Sequence, residues 1–334
     1  MKNKIFLCLF VTLTFFSCSK RNNINIEIAN ANGKTVYLQK IINNETVNVD
    51  SCIIEKNKAL LNAKTDKNNE AYHLYIKGWH RAIPFFTDNK DVTINGDFNA
   101  YHKINITASE TQKKFDEILI KLSNYEDNNK KSFIADIVKD NSNSDLAPYI
   151  IYRHKWLFNL DELNNLVKEN FSDDFNSGYY QKLVEYIESL ERTKVGQQFI
   201  DFTLNNIENQ PITLSSLIKD NKLVLIDFWA SWCPDCRVEN PNVVAVYDEY
   251  KDKGLEIISV SLDTDKNAWI ESIKEDNLYW KHHVSDLKGW NCAPASEYGV
   301  AFIPQNVIIN SEGIIVAKNL NGRHLNNFVS LYLK

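Results

Sequence analysis

The sequence predicts a multidomain protein with an α/β domain at the C-terminus, preceded by a small β-sandwich or barrel and a helical segment. Three observations carry this reading. Residues 24–108 alternate apolar and polar side chains with a period of two, the signature of half-buried strands. Residues 109–192 change to the helical period. From Val195 onward, strands and helices alternate around one continuous apolar run, Leu223–Trp229.

With 334 residues, the chain has room for two or three domains and an ample core. Its first residues read as an export signal. Lys2 and Lys4 precede the apolar stretch Ile5–Phe16, and Phe15-Phe-Ser-Cys18 ends it. Twelve residues are too few to span a bilayer, which takes about 20. Ser17 before Cys18 resembles a bacterial lipobox, although Phe15 stands where Leu is usual. The expectation is therefore a signal peptide at 1–17 and a lipid-anchored tether at 18–23 attached through Cys18. A plain signal peptide releasing a soluble periplasmic protein is the alternative. The formal net charge is −5, and cleavage would remove two lysines and no acid. That argues against nucleic acid as a partner. Cleavage and acylation would leave Cys52, Cys233, Cys236 and Cys292 as the only thiols, too few for a disulfide-stapled scaffold.

In the predicted β-rich domain, 24–108, Ile24-Asn-Ile-Glu-Ile28 alternates strictly, and Val36–Leu38, Tyr72–Ile76 and Val92–Ile94 follow. Asn32-Gly33 and Asn95-Gly96 read as turns between strands of a small antiparallel sandwich or barrel. His73, His80 and His102 lack metal-ligand spacing. Tyr72, Tyr75, Trp79, Phe85 and Phe86 are either core or a binding surface, and strand aromatics are usually core. In the helical segment, 109–192, Phe115, Ile118, Leu119 and Leu122 share a helical spacing. So do Leu160, Leu163, Leu166 and Val167, and then Leu183, Val184 and Ile187. Ser109 with Gln112 makes a capping box. Three to five helices are expected here, acting as a spacer.

In the last domain, 195–334, Phe199–Leu204 and Pro211–Leu214 form a hairpin leading into Leu223–Trp229, whose unbroken apolar character suits a strand buried on both faces. Leu255–Leu262 is the next strand and Asp265–Asp276 the next helix. Asn306–Asn310 and Ile314–Ala317 pair around Ser311-Glu-Gly313, and His324–Leu333 is a terminal amphipathic helix. Between the buried strand and the helix after it lies Cys233-Pro-Asp-Cys236. Pro234 suits a first-turn position, where a missing N–H costs nothing. Cys233 then falls at the helix N-terminus, where free N–H groups and the helix dipole favour a thiolate. Cys236, one turn on, faces the same side and can close a disulfide onto Cys233.

These residues resemble the active site of the thioredoxin superfamily. Trp232-Cys-Pro-Asp-Cys-Arg-Val-Glu239 is similar to its membrane-tethered TlpA/ResA-like branch of thiol–disulfide oxidoreductases. Asp227, Pro241 and Ile303-Pro304 match the buried acid, the active-site-helix proline and the cis X-Pro bond of that family. The preceding β-rich region resembles the domain of unknown function that often precedes a thioredoxin domain in bacterial lipoproteins. The resemblance implies a thioredoxin fold and a redox pair in which Cys233 attacks and Cys236 resolves. It implies Asp227 and Glu239 in proton transfer, a substrate strand held against Trp232, Ile303 and Pro304, and a potential tuned by Pro234 and Asp235. The implied partners are protein thiols and disulfides on the periplasm-facing side of the cell envelope and an upstream membrane electron donor. No cofactor and no metal are implied.

The residues also bear on direction. A carboxylate at Asp235 disfavours the Cys233 thiolate, which makes the dithiol a better electron donor, with Arg237 opposing it; a reductase is expected. Two competing readings stand beside it. A zinc- or copper-binding module would use Cys233 and Cys236 with His282, His283 or Cys292, but a second regularly spaced pair is missing. A client-binding envelope lipoprotein would keep the redox domain as a subsidiary part. A peroxidase of the peroxiredoxin type needs Pro-x-x-x-Thr/Ser-x-x-Cys, and Ile226 and Ala230 occupy those two positions. Cys292, in Trp290-Asn-Cys-Ala-Pro294, is read as a buried free thiol, as is Cys52; the sharper idea is a third redox thiol meeting Cys233.

Overall fold

The computed structural model describes residues 21–64, 70–172 and 174–334; the expected signal peptide, Cys18 and the start of the expected tether lie outside the described residues. The chain divides into two compact units, and the helices of 109–192 are shared between them.

The first unit is a two-sheet sandwich. One sheet contains β1 (Arg21–Ala29), β4 (Lys58–Lys64), β7 (Val92–Asp97) and β8 (Asn105–Thr107) in the order β4-β1-β7-β8. The other contains β2 (Thr35–Ile42), β3 (Glu45–Ile53), β5 (Glu70–Ile76) and β6 (Ile83–Thr87) in the order β3-β2-β5-β6. Ile24, Ile26 and Ile28 share one core with Val36, Leu38, Tyr72 and Phe85, so the inward faces of both sheets meet. The antiparallel expectation fails at one place: β1 and β7 run parallel. Asn95-Gly96 is not a turn either, because both residues lie inside β7, opposite Glu27 and Ile28. A side chain at Gly96 would meet Ile104 at 2.5 Å, so glycine is there for a close approach rather than a bend.

Tyr72, Trp79 and Phe85 are buried in this core and Tyr75 packs against it, while Phe86 is buried on the other face against Phe115 and Tyr149, so these aromatics are packed rather than an open binding surface. His73 is buried against the Tyr179 hydroxyl (2.6 Å), while His80 and His102 are exposed. The helix α1 (Glu110–Asn124) is capped by Ser109, whose hydroxyl oxygen accepts the Gln112 N–H. The reciprocal half of the expected capping box is not made, since the Gln112 side chain accepts the Phe86 N–H instead. Phe115, Ile118 and Leu122 are buried but Leu119 is exposed, which narrows the predicted stripe. Four more helices follow: α2 (Asp127–Asp140), α3 (Leu146–Arg153), α4 (Leu160–Asn170) and α5 (Gly178–Arg192). The complete capping box of this region is Asn159 with Glu162, at the start of α4.

The second unit contains the thioredoxin-like domain. A short hairpin, β9 (Thr203–Asn205) and β10 (Pro211–Thr213), precedes α6 (Leu214–Ile218). The main sheet has the order β13-β12-β11-β14-β15, with β11 (Leu223–Trp229) in the middle. Its neighbours are β12 (Leu255–Ser261), parallel to it, and β14 (Gln305–Asn310), antiparallel. β13 (His282–Val284) and β15 (Ile315–Lys318) are the edges. Every residue of β11 is buried. At about 1.5–3 kcal/mol for each fully buried large apolar side chain, this strand is a large single contribution to the core. α7 (Pro234–Tyr250) follows β11 and contains Pro241. α8 (Lys266–Glu275), α9 (Ala293–Glu297) and α10 (Arg323–Tyr332) complete the domain, and Asp265 caps α8 through the Asn267 and Ala268 N–H groups.

Candidate active site

Two features of the sheet bring the site together. β11 hands over to α7 through Ala230–Trp232, so Cys233 becomes the N-cap of that helix and Pro234 its first residue. The antiparallel pairing of β11 with β14 sets Gln305 opposite Phe228, which delivers the cis peptide Ile303-Pro304 to the same end of β11. Cys233 and Cys236 are joined in a disulfide, with Cα atoms 5.3 Å apart. The Cys236 N–H donates to the Cys233 sulfur (3.1 Å), which lies 3.7 Å from the Ile303 carbonyl oxygen.

An attacking thiol at a helix start is expected to be exposed and a resolving thiol one turn in to be half-buried, but Cys233 keeps only 4% of its surface and Cys236 none, so the pair is an outer and an inner sulfur, both covered. The loop around them is packed; what projects is Trp232, which is 50% exposed. Pro234 and Asp235 are exposed in the first turn. Arg237 does not simply oppose Asp235. Its guanidinium donates to Asp276 and Glu275 and to the Ser272 hydroxyl, so its charge is committed to that cluster, and both acids hold it protonated.

Asp227 sits in the middle of β11, opposite Ser259 of β12. Its carboxylate accepts the Ser259 hydroxyl (3.0 Å). Burial pushes its pKa up to about 7, with the Ser259 hydrogen bond opposing and the Glu239 charge adding to the rise. Glu239 is partly buried on α7, one turn beyond Cys236, and accepts the Gly322 N–H (2.6 Å) and the Asn242 amide (3.0 Å). It is therefore anchored rather than a free surface residue.

Cys292 is fully buried; burial pushes its thiol up to about 12, with an Ala295 backbone contact opposing and Asp286 adding to the rise. It is unbonded while the Cys233 sulfur is taken by Cys236, so this state gives the third-thiol idea no support. Cys52 is also unbonded but only partly buried, packed against the sandwich core, so the expectation of a buried thiol fails for it. His282 faces Glu256 (3.6 Å) and His283 the Leu278 carbonyl (2.9 Å). Among the described residues no group of three or more His, Cys, Asp or Glu side chains is placed to hold a metal ion.

A thiol–disulfide oxidoreductase named ResA from Halalkalibacterium halodurans is 31% identical to this chain over 129 residues, 39% of this chain and 70% of that protein. The chain belongs to the ResA family of thiol–disulfide oxidoreductases. A second relative of this name, from Bacillus cereus, is 28% identical over 149 residues, 45% of this chain and 82% of that protein. The AhpC/TSA family model matches residues 195–318. Residues 23–115 match a domain of unknown function, DUF4369. Among solved structures, the thioredoxin domain of a thiol–disulfide oxidoreductase from Bacteroides vulgatus is 31% identical, covering 42% of this chain and 98% of that one, with a TM-score of 0.39. This ResA-family chain is thus a thioredoxin-like oxidoreductase with a β-rich domain and helices before its redox domain.

The structure adds residues that the sequence did not single out. Asp263, buried after β12, accepts the Ser231 N–H (3.0 Å), the Ser231 hydroxyl (2.5 Å) and the Ser261 hydroxyl (2.7 Å), so it anchors the loop carrying Trp232. The Trp280 indole N–H donates to the Ser259 hydroxyl oxygen (3.1 Å), which orients the hydroxyl that Asp227 accepts. Trp290 and Phe302, 51% and 41% exposed, project near the site: Trp290 lies 6.2 Å from Trp232, ring to ring. Serines and tryptophans are ordinary core and surface residues in sequence, and only the register of β11 against β12 and the approach of the 290 loop give them this role.

Proposed function

We propose that Cys233 and Cys236 are the redox dithiol of an envelope enzyme that reduces disulfides in other proteins. The observation carrying this reading is the Cys233–Cys236 bridge at the N-cap of α7, with the outer sulfur against the Ile303 carbonyl. In the reduced protein the Cys233 thiolate attacks one sulfur of a client disulfide. A mixed disulfide forms, and the other client sulfur leaves as a thiolate that takes up a proton. Cys236 then loses its proton to the acid pair Asp227 and Glu239 and attacks Cys233. The client's second sulfur leaves as a thiolate, which takes up a proton, and the enzyme disulfide is regenerated. Two electrons pass from the enzyme to the client. Asp227 suits the proton step because its pKa of about 7 lets it gain and lose a proton near neutral pH.

Trp232, Ile303 and Pro304 hold the client chain as an extended segment, with the Ile303 backbone as its hydrogen-bonding edge. Direction follows from Asp235. The positive N-terminus of α7 favours a thiolate at Cys233, and the Asp235 carboxylate in the first turn offsets that field; Arg237, committed to Asp276 and Glu275, does little to restore it. The dithiol is therefore a donor, recharged by an upstream membrane electron donor. Export by the signal at 1–17 and acylation at Cys18 place it on the periplasm-facing side of the envelope. Attachment is assigned to the lipid at Cys18; among the described residues no helix is long and apolar enough to cross a membrane.

The experiment is capture with Cys236→Ser. With no resolving thiol, this variant is expected to accumulate mixed disulfides with envelope proteins that dithiothreitol releases. A Cys233→Ser, Cys236→Ser double variant that captures the same proteins would refute the reading.

A further inference from the structure

Beside the redox site, within the second unit, lies a cleft of about 420 Å³. One wall is helical and presents Tyr152, Lys155, Lys182 and Tyr186; the other includes Val300 and Ala301 of the loop leading to Ile303-Pro304. Trp290, the ring partner of Trp232, also borders it. Three cations, Arg153, Lys155 and Lys182, line it against one acid, Glu185.

The Lys155 ammonium stands over the faces of Tyr152 (4.1 Å to the centroid) and Tyr186 (5.1 Å). Burial disfavours its charge most, and Lys182 and Arg153 both repel it as well. A partly desolvated cation held between phenol rings and beside two like charges is poised for an anion. A carboxylate entering there meets a cation held out of bulk water by fixed aromatic walls, where charge pairs are screened less than at an open surface.

The position identifies the anion's source. Ala301 precedes Ile303 by two residues, about 7 Å of extended chain, and the Ile303 carbonyl touches the Cys233 sulfur. A client segment lying along Ile303 therefore reaches the cleft with side chains only a few residues from its reacting cysteine.

We propose that this cleft is a specificity site that takes an aspartate or glutamate side chain of the client, two to four residues from the client's reacting cysteine. The proposal rests on the disulfide-exchange reading above, and its test separates the two. Disulfide-bonded peptides carrying Glu, Gln or Lys at those flanking positions are reduced by the full-length protein, with dithiothreitol as the electron source. The same peptides with serine in place of cysteine are titrated by fluorescence to read binding alone.

The Glu peptide is expected to exceed the Gln peptide about tenfold in kcat/KM and in affinity, and the Lys peptide to fall below both. Lys155→Gln should collapse the Glu-to-Gln ratio to near one, and Lys155→Arg should keep it, which guards against a merely structural loss. The ratio should also decline as pH rises through about 8, where Lys155 loses its proton. Lys182 is lowered by burial with Glu185 opposing, and burial keeps the Tyr152 and Tyr186 phenols neutral. Because thiol chemistry is common to both peptides, it cancels in the ratio. Equal reduction and equal binding of the Glu and Gln peptides would overturn the cleft proposal and leave the exchange reading intact. Glu-selective binding without reduction would do the reverse. Inhibition by inorganic phosphate without peptide discrimination would mark a small-anion site and also overturn it.

Discussion

Replacing Asp227 by Asn tests the buried acid through stability as well as activity. The carboxyl has an ordinary pKa of 3.8 and stands at about 7 in the folded protein. Between those values the folded state holds a proton that the unfolded chain has released, so stability falls as pH rises through that window. The full penalty, about 4 kcal/mol, is reached above pH 7. Evaluated at two pH values, the penalty is roughly 1.5–2 kcal/mol at pH 5 and about 4 at pH 8, so wild type should lose roughly 2–3 kcal/mol between them on this account alone. Asn has the same shape and does not titrate. Its oxygen can still accept the Ser259 hydroxyl, and its amide protons cost about 1–3 kcal/mol if left unpaired. That cost is the same at every pH and drops out of the comparison. Asp227→Asn should therefore lie near wild type at pH 5 and be more stable by about 1–3 kcal/mol at pH 8, while its disulfide exchange slows at the resolving step. Urea unfolding of the two oxidised proteins from pH 5 to pH 8, followed by tryptophan fluorescence, reads the difference directly. Glu239→Gln should move the wild-type transition to lower pH, because it removes a charge that raises Asp227. A wild-type-minus-variant stability that is flat or rises with pH would refute the reasoning.

Three further outcomes follow from the same geometry. Asp235→His should make the Cys233–Cys236 couple more oxidising by on the order of 15–30 mV, the equivalent of half to one pKa unit on one thiol; a glutathione redox titration that returns an unchanged potential removes the argument for direction. Asp263→Ala should destabilise the protein by roughly 2–4 kcal/mol, since it strips the partner from the Ser231 N–H and two hydroxyls. It should also slow exchange by loosening the Trp232 loop, and a variant with the wild-type urea midpoint contradicts this. In the reduced native protein at pH 8, Cys292, buried with its thiol raised to about 12, should resist iodoacetamide while Cys233 is labelled; mass spectrometry showing equal rates would reopen a redox role for Cys292.

What the sequence made legible follows from where the physics is local. Leu223–Trp229 is seven apolar or buried residues in a row, and no other short element explains such a run. The N-cap position of Cys233 follows from Pro234 one residue on. Asp265 capping α8 and the hairpin about Ser311-Glu-Gly313 are likewise local signals. The misses are non-local or are strands without a buried face. β3 is an edge strand with Val49 and Ile53 exposed, so it carries no alternation to read. The parallel pairing of β1 with β7 joins residues nearly 70 positions apart. Asn95-Gly96 has turn chemistry but is held extended by that pairing. In the site, the ties of Asp263 to Ser231 and of Trp280 to Ser259 exist only once β12 lies beside β11. The burial of both sulfurs depends on packing that no motif spacing encodes.

The central claim is that Cys233 begins and Cys236 completes the reduction of a disulfide in another protein. The direct measurement is reduction of insulin by the prereduced protein, freed of small thiols, with released thiols and enzyme disulfide counted together. The account predicts one client disulfide opened for each Cys233–Cys236 bridge formed, and no reduction by Cys233→Ser. Reduction by Cys233→Ser at the wild-type rate, or client thiols released without a matching Cys233–Cys236 bridge, would contradict it.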